Sequence, residues 1–429
     1  MSNPKPSIGF VGLGAMGFGM ATHLVKEGYT VHGFDVFPAS VERFAAAGGI
    51  PASSLQDSAT DKSFYVCMVA SAPQVQSVLF GENGVVAALP QNATLLLCST
   101  VAASYAQSVL AELSRVGRGD INLIDAPVSG GALRAAAGTL SIMAGASSDA
   151  LAAGKELLEV LSDANKLYLV PGGVGAGSNM KMVHQVLAGI HILGASEAMG
   201  FAAQLGLGAS ETAEAIRGSG AWTWMHENRL GRMLGEEWNP GASALTIILK
   251  DVGIITTSAR QSQFPTPLSS TAEQVYLSAL LQGYGASDDS SMVRQYFGAP
   301  IMSVVGKEDA EALQLVLDLM EVTNLVAAAE AIAFAQYLDV DMEQFFTLVS
   351  DAAGASRQFV LKGREMIEGR AGGETLDAAA ARLEKAVQRA RDLHCPLHLG
   401  NAALSVLFLA KRSGLGAEGS ASVVKAFGK

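Results

Sequence analysis

A glycine-rich turn near the N-terminus constrains the fold more than any other feature of the sequence. The segment GFVGLGAMGFGM places Gly12, Gly14 and Gly17 in G-x-G-x-x-G spacing, directly after a strand-like run and at the start of an amphipathic helical run. In a βαβ unit the first glycine permits a tight turn, the second lets the backbone approach a pyrophosphate, and the third lets helix and strand pack closely. We therefore predict a dinucleotide-binding domain of the Rossmann type, with these glycines and the intervening Met16 in the cofactor site.

An acidic residue at the end of the second strand-like run favours one nicotinamide cofactor over the other. The run YTVHGFD ends in Asp35, 18 residues after Gly17. A carboxylate at this place accepts hydrogen bonds from the ribose diol of NAD and repels the 2′-phosphate of NADP. The following VFP contains no arginine to bind that phosphate. The sequence therefore favours NAD over NADP.

The pattern of predicted secondary structure changes near Gly172, which suggests more than one domain. Seven strand-like runs alternate with helical runs as far as KLYLVPG, as in a mostly parallel sheet, and helical periodicity follows to the C-terminus. Within the helical part, EAMGFAAQLGL from Glu197 resembles EAIAFAQYLDV from Glu330, and ARQSQFPTPL resembles ARDLHCPLHL at a similar offset. We predict an α/β Rossmann-type domain over residues 1–173, then an all-α region of two repeated helical domains over 174–298 and 299–429.

Composition excludes some classes of partner. The 29 basic and 40 acidic residues give a formal net charge of -11, without the basic run that tracks a phosphate backbone, so nucleic acid is not expected. The three cysteines show no paired spacing and fit a reducing compartment. The apolar stretch 183–209 contains His184, Gln185, His191 and Glu197, which indicates a buried helix. We expect a cytoplasmic protein without a membrane partner.

A loop and a lysine further along the chain supply candidate substrate contacts. The segment DAPVSGG follows a strand-like run, and open α/β sheets bind ligands at the carboxyl ends of their strands. Ser129, Gly130 and Gly131 can present a hydroxyl and backbone N–H groups to a carboxylate. Lys181 lies about one turn into the helix that begins near GVGAGSNMK, with Gln185 one turn further on. A lysine shielded from water can exchange the proton of an alcohol during hydride transfer. The alternatives are an ordinary glycine-rich turn and a solvent-facing lysine.

Two histidines on the same helical run raise the question of a metal site. His184 and His191 share a face, but seven residues separate them by roughly 10 Å along a helix, too far for one ion. No cysteine or carboxylate cluster completes a ligand set, so we expect no metal. His184, three residues after Lys181, is a candidate contact for a polyhydroxy substrate.

Four segments together carry a family resemblance. GFVGLGAMGFGMATHL, DAPVSGG with the downstream GTLSIMAGA, GVGAGSNMKMVHQ and LKDVGI resemble, in this order, the signature blocks of the β-hydroxyacid dehydrogenase family, which includes 3-hydroxyisobutyrate dehydrogenase. The resemblance implies that Lys181 is the general acid/base and that the loop Ser129–Gly131 holds a substrate carboxylate. It further implies that Thr100 lines the cofactor site and that Lys250 closes over the nicotinamide side.

The sequence departs from the family pattern in two places. Gln185 stands where the family commonly has asparagine, and HQVLAGIH looks like the threonate dehydrogenase branch, whose substrates are four-carbon sugar acids. At the repeat offsets, Lys181 corresponds to Gln314 and Gln185 to Asp318. Lys250 corresponds to Ala381 and Asp251 to Arg382. The second helical copy therefore lacks the residues of the first copy's chemistry. In this superfamily the helical domain usually packs against a partner subunit, and 6-phosphogluconate dehydrogenase carries two copies in one chain. The resemblance therefore implies a monomer that mimics a dimer, with a homodimer as the alternative.

The function expected from the sequence is NAD-dependent oxidation of a hydroxyl group on a small hydroxycarboxylate, such as threonate or 3-hydroxyisobutyrate. Lys181 and Gln185 are its catalytic candidates. Two alternatives remain open at this point. One is an NAD(P)H-dependent reductase of a small aldehyde acid or imine, and the other is a non-catalytic nucleotide-binding scaffold.

Overall fold

The computed structural model describes residues 5–239 and 243–428, and the chain divides into two compact units, Met1–Lys181 and Met182–Lys429. The first unit is built on a six-stranded sheet in the order β3-β2-β1-β4-β5-β6, in which all paired strands are parallel. This is the strand order of a dinucleotide-binding fold. The strands are β1 Ser7–Val11, β2 Thr30–Phe34, β3 Ile50–Pro51, β4 Phe64–Cys67, β5 Thr94–Leu97 and β6 Asn122–Asp125.

Helices connect these strands and cover both faces of the sheet. Strand β1 shows this arrangement, because Ile8 and Phe10 belong to the apolar core on one face and Val11 to the core on the other. Burial on both sides explains why β1, β4 and β5 read as nearly continuous apolar runs. The helices are α1 Ala15–Lys26, α2 Pro38–Ala46, α3 Leu55–Ala59, α4 Ala72–Phe80, α5 Ala103–Arg115, α6 Gly131–Ala137 and α7 Ser148–Leu161.

A second, smaller sheet completes the first unit. Its strands are β7 Val128–Ser129, β8 Leu140–Ala144 and β9 Ser162–Leu169, with β7 antiparallel and β9 parallel to β8. All seven strands predicted from the sequence are present. The last two lie in this separate sheet, and the two-residue strands β3 and β7 were not predicted because so short a pairing has no periodic pattern.

The second unit is helical and consists of two copies of one arrangement. Helix α8, Ala176–Gln204, runs from the first unit into the second. The first copy continues with α9 Ala209–Arg217, α10 Trp224–Gly235, α11 Leu245–Gln261 and α12 Pro267–Leu281. The second copy repeats the same order and similar lengths, with α13 Ala310–Tyr337, α14 Met342–Ser350, α15 Arg357–Ile367, α16 Leu376–Asp392 and α17 His398–Ala410. The predicted duplication of the helical region is confirmed.

The two helical copies exchange equivalent hydrogen bonds. The backbone N–H of Trp224 donates to the carbonyl of Ala355 at 2.9 Å, and that of Arg357 donates to Trp222 at 3.0 Å. Thr223 and Ser356, which cap α10 and α15, form an antiparallel bridge between these bonds. Since the partners in each bond exchange roles under the repeat offset, an approximate twofold axis relates the copies at this bridge.

Two buried glutamates form a second reciprocal contact between the copies. Glu197 of α8 accepts hydrogen bonds from the backbone N–H groups of Leu399 and Gly400, in the first turn of α17. Glu330 of α13 accepts from those of Leu268 and Ser269, in the first turn of α12. Each copy therefore supplies the carboxyl oxygens that accept hydrogen bonds from a helix N-terminus of the other.

Helix α8 is long and apolar enough to cross a membrane by length and composition alone. However, 94% of its most apolar window is buried inside the protein. This burial is typical of the core helix of a folded domain and agrees with the buried helix predicted for this stretch.

Candidate active site

The glycine turn between β1 and α1 has the shape that its spacing predicts. Gly12 has φ +91°, and a Cβ there would lie 2.2 Å from the carbonyl oxygen of Met68. A Cβ on Gly17 would lie 1.8 Å from the carbonyl oxygen of Gly12, whereas one on Gly14 would meet nothing within 4 Å. The first and third glycines are therefore required by close packing, and the second leaves open space at the helix N-terminus, as a bound pyrophosphate needs. Met16 is half-buried in the first turn of α1.

Asp35 is held against this turn. Its Oδ2 accepts a hydrogen bond from the Leu13 backbone N–H at 2.7 Å, and its Oδ1 accepts from Phe37 at 2.9 Å. A carboxylate oxygen can accept a second hydrogen bond, so both oxygens retain capacity for ribose hydroxyls. Arg43 also reaches the turn, where its Nη2 donates to the Leu13 carbonyl at 3.0 Å. Arg43 lies on α2, beyond the residues directly after Asp35, and no motif in the sequence points to it.

Thr100 follows β5 at the same edge of the sheet, because the carboxyl ends of parallel strands meet there. The neighbouring Ser99 is buried, and its Oγ accepts a hydrogen bond from the Val69 backbone N–H at 2.9 Å. This bond ties the segment after β5 to the segment after β4. Thr100 is partly exposed there, and its contact with a cofactor stays a prediction.

The acid that opens DAPVSGG fixes the start of the lysine helix. Asp125 ends β6 and is fully buried. Its Oδ2 accepts hydrogen bonds from the backbone N–H groups of Gly175, at 3.0 Å, and Ser178, at 2.7 Å, while its Oδ1 accepts from the Ser178 hydroxyl at 2.6 Å. Burial raises the pKa of Asp125 to about 6, against the lowering effect of these hydrogen bonds. Sequence reasoning quoted Asp125 in the motif but gave it no role.

The loop after Asp125 carries the predicted carboxylate contacts. Ser129 lies in β7 and is 7% exposed. Gly130 has φ +136° and Gly131 has φ +73°, conformations that side-chain-bearing residues rarely adopt. The loop therefore needs both glycines for its backbone course. Lys181 belongs to the same compact unit and is 5% exposed, so the alternative of a solvent-facing lysine is wrong.

One turn beyond Lys181, Gln185 belongs to a polar group of the helical unit. Its Nε2 donates to Oδ2 of Asp251 at 2.7 Å, and the Nζ of Lys250 lies 2.9 Å from Oδ1 of the same carboxylate. Asp251 is 7% exposed and fixes which end of the Gln185 amide faces it. The block LKDVGI contains Asp251, but the sequence gave no sign that it would reach helix α8.

The second helical copy keeps this geometry with different chemistry. Asp318, the counterpart of Gln185, pairs with Arg382, the counterpart of Asp251, at 2.6 Å. Gln314, the counterpart of Lys181, donates to Asp318 at 2.9 Å. In the second copy the acid lies on α13 and the arginine opposite it on α16, whereas in the first copy the acid lies on α11, the helix equivalent to α16.

His184 and His191 are both fully buried. The Nε2 of His184 accepts a hydrogen bond from the Gly354 backbone N–H at 3.2 Å, which joins it to the second helical copy. Burial lowers the pKa of His191 to about 3. No group of three or more potential metal ligands occurs within residues 5–239 and 243–428. A substrate contact for His184 stays a prediction.

The glycine turn, the acid after β2 and the strand order define a dinucleotide-binding protein, and the comparisons narrow this class. The profile described as the NAD binding domain of 6-phosphogluconate dehydrogenase matches residues 7–172. The profile described as NAD-binding of NADP-dependent 3-hydroxyisobutyrate dehydrogenase matches twice, over residues 175–296 and 309–427. L-threonate dehydrogenase from Cupriavidus necator is 37% identical over 292 residues, covering 68% of this chain and 96% of the relative. The chain belongs to the β-hydroxyacid dehydrogenase family, enzymes that act on CH–OH donors.

Two solved structures separate the shared core from the additional copy. A 3-hydroxyisobutyrate dehydrogenase from Salmonella typhimurium is 34% identical, with a TM-score of 0.63 over 68% of this chain and all of the other. The 6-phosphogluconate dehydrogenase of Plasmodium falciparum is 14% identical, with a TM-score of 0.67 over 94% of this chain and 92% of the other. Identity this low shows a shared fold alone, and that fold extends over both helical copies.

Proposed function

We propose that this protein oxidises a hydroxyl group of a small hydroxycarboxylate with NAD as the hydride acceptor, using Lys181 as the general base. The observation that carries the proposal is the anchoring of the lysine helix. Asp125 binds the first turn of α8 to the end of β6, and the loop that continues from β6 contains Ser129. A shielded lysine, a carboxylate-binding loop and a dinucleotide turn thus belong to one compact unit.

In the proposed reaction the protein binds the substrate and accepts one proton from it. Ser129 and the backbone N–H groups of Gly130 and Gly131 bind the carboxylate, and Lys181 accepts the proton of the hydroxyl group. NAD supplies the acceptor for the hydride that leaves the hydroxyl-bearing carbon. Gln185, oriented by Asp251, donates or accepts a hydrogen bond at the substrate oxygen. Reduction of an aldehyde acid is the reverse reaction and uses the same residues.

A substrate with several hydroxyl groups fits the residues best. Gln185 is longer than the asparagine common at this position, and its neighbour His184 is the further hydrogen-bonding side chain that we propose for such a substrate. The named activity of the Cupriavidus necator relative, which acts on L-threonate, supports a four-carbon sugar acid as substrate. The Salmonella typhimurium structure supports 3-hydroxyisobutyrate as the alternative.

For the cofactor we propose NAD, held by Gly12, Gly14, Gly17 and Asp35, with Thr100 and Lys250 also in contact with it. The support is the carboxylate of Asp35, which lies against the glycine turn and would repel a 2′-phosphate. We also propose cytoplasmic localisation and domain limits at about residues 173 and 298.

For assembly we propose that the second helical copy covers the face of the first copy that a partner subunit covers in single-copy relatives. The reciprocal bonds of Glu197 and Glu330 support this, because they join equivalent elements across an approximate twofold axis. The chain is then a monomer that mimics a dimer, or a homodimer formed through another surface.

The test is a substrate panel with the purified full-length chain. Cofactor reduction is measured with NAD and with NADP in the presence of sugar acids, 3-hydroxyisobutyrate and related hydroxyacids. Oxidation of NADH and of NADPH is measured with aldehyde acids, which test the reverse reaction, and with cyclic imines, which test the rival activity. We expect turnover of a hydroxyacid with NAD. Turnover confined to imines, or NADH binding without turnover of any substrate, would contradict the proposal.

A further inference from the structure

Two buried carboxylates in this protein make the same set of hydrogen bonds at the start of a helix. Asp125 accepts from two backbone N–H groups and from the Ser178 hydroxyl, the latter at 2.6 Å. Glu330 accepts from two backbone N–H groups and from the Ser269 hydroxyl, also at 2.6 Å. Both acids are completely buried. Their local energetics are therefore closely matched, although they lie in different units of the chain.

Asp125 and Glu330 differ in which parts of the protein they connect. Asp125 is the last residue of β6, only four positions before Ser129, and its partner Ser178 lies three positions before Lys181 on α8. One helical turn thus separates the anchored serine from the lysine. Glu330, in contrast, joins α13 to α12, and neither helix carries a residue assigned to the chemistry.

A close backbone contact also constrains the position of the first turn of α8. A Cβ on Gly177 would lie 2.6 Å from the Asp125 carbonyl oxygen and 2.3 Å from the Met143 carbonyl oxygen. The first turn of α8 therefore touches the ends of both β6 and β8 directly. Its position along the helix axis is fixed by this contact and by the carboxylate of Asp125.

We propose that Asp125 is a positioning residue for the reaction, which sets the distance between the Lys181 amine and the substrate loop. The inference rests on the proposed function of Lys181 and adds to it. Proton transfer needs the donor and acceptor atoms within hydrogen-bonding distance, and a displacement of about 1 Å can cost about 100-fold in rate. A helix start that donates three hydrogen bonds to one carboxylate resists such a displacement.

The experiment compares matched substitutions at the two carboxylates. Asp125→Asn and Ser178→Ala disturb the catalytic helix, while Glu330→Gln and Ser269→Ala disturb an equivalent network away from it. The measurements are kcat and KM for NAD and for the hydroxyacid that the wild type turns over, the dissociation constant of NADH, and the melting temperature. All rates are taken at a temperature where every variant is folded.

We expect kcat to fall about 100-fold in Asp125→Asn and about 10-fold in Ser178→Ala, with NADH affinity changed less than about twofold. The two control variants should lose a similar amount of thermal stability and keep wild-type kcat. If Asp125→Asn fails to fold, Ser178→Ala against Ser269→Ala decides the question.

Equal kcat in Ser178→Ala and Ser269→Ala would overturn the positioning role and leave the proposed function intact. A wild type that turns over no hydroxyacid at all would overturn the proposed function, and the positioning role with it. The two failures are therefore distinguishable in one series of measurements.

Discussion

At the scale of single residues, two glycines of the nucleotide turn meet very different surroundings although they lie three positions apart. Gly17 has a backbone oxygen where its Cβ would be, and Gly14 has open space. The sequence predicts both as cofactor residues from spacing alone. The structure shows that packing requires glycine at position 17, whereas the requirement for glycine at position 14 stays a prediction that depends on the bound cofactor.

This difference predicts opposite effects of the same substitution. Gly14→Ala should cost at most about 1 kcal/mol of stability, because alanine is a poorer N-cap residue than glycine, while the open space and the negative φ of Gly14 admit a methyl group. NADH affinity should fall about tenfold or more, because the new methyl group occupies the approach of the pyrophosphate. Gly17→Ala should cost about 1–3 kcal/mol of stability through overpacking. Calorimetry and NADH titration of both variants check this, and a wild-type NADH affinity in Gly14→Ala would contradict it.

Asp35 carries the expected cofactor preference. Asp35→Ser removes the carboxylate that would repel a 2′-phosphate, so the ratio of kcat/KM for NAD to that for NADP should fall about tenfold or more. Asp57→Ser provides a control, because Asp57 is an exposed aspartate of the same unit that accepts hydrogen bonds from Ser53. An unchanged ratio in Asp35→Ser would show that another group selects the cofactor.

At the scale of helices and strands, the sequence predicts what periodicity and spacing can encode. The seven strands with apolar runs, the change to helices and the duplication all follow from local patterns. The reciprocal caps do not, because Glu197 and Leu399 are 202 positions apart and only the fold brings them together. The two glutamates are nevertheless the first residues of the segments whose similarity reveals the repeat.

The candidate site also contains both residues that the sequence predicts and residues whose roles only the fold reveals. Ser129, Lys181 and the glycines are visible as motifs, but the roles of Asp125 and Asp251 depend on which helix start or side chain each one reaches. A buried acid at a strand end has no sequence signal that distinguishes a helix cap from a surface residue.

The hydrogen bonds that Glu197 and Glu330 accept at the helix starts predict that removing either carboxylate destabilises the protein by a similar amount. In Glu197→Gln and Glu330→Gln one carboxylate oxygen is replaced by an N–H donor that faces another N–H group, which should cost about 1–3 kcal/mol in each case. All three tryptophans, Trp222, Trp224 and Trp238, lie in the helical unit, so their fluorescence during urea unfolding reports on it. Glu311→Gln, on an exposed first turn of α13, is the control. Stabilities equal to that of the control would contradict the capping role.

At the scale of the whole molecule, the chain holds two helical copies, of which one contains the residues that we propose for the chemistry. The copies share helix order, caps and the bridge at Thr223 and Ser356. They differ where Gln185 and Asp251 are replaced by the ion pair of Asp318 and Arg382. The two copies share structure where they contact each other, and they differ at the positions that we propose for the chemistry.

The contact between the copies predicts a pH dependence of stability. Burial raises the pKa of Glu197 and of Glu330 to about 7 from an ordinary 4.5. Between these values the native state binds more protons than the unfolded state, so the free energy of unfolding falls as pH rises. The contribution is fully present below about pH 4.5 and is lost as pH rises through about 7, by about 3 kcal/mol for each group.

Urea unfolding followed by tryptophan fluorescence between about pH 5 and about pH 8 measures this dependence. The double variant Glu197→Gln/Glu330→Gln lacks both titrating groups, and its stability should change less over the same range. A wild type and a double variant with parallel pH profiles would show that the two carboxyl groups keep ordinary pKa values.

The central claim is that the Lys181 amine accepts the proton of the substrate hydroxyl group, and its most direct test is the turnover of Lys181→Ala measured beside NADH binding in the same preparation. We predict that kcat falls by about 1,000-fold or more, within reach of what general acid–base catalysis and correct positioning supply, while the dissociation constant of NADH stays within about twofold of wild type. Turnover of Lys181→Ala within about tenfold of wild type would contradict the account.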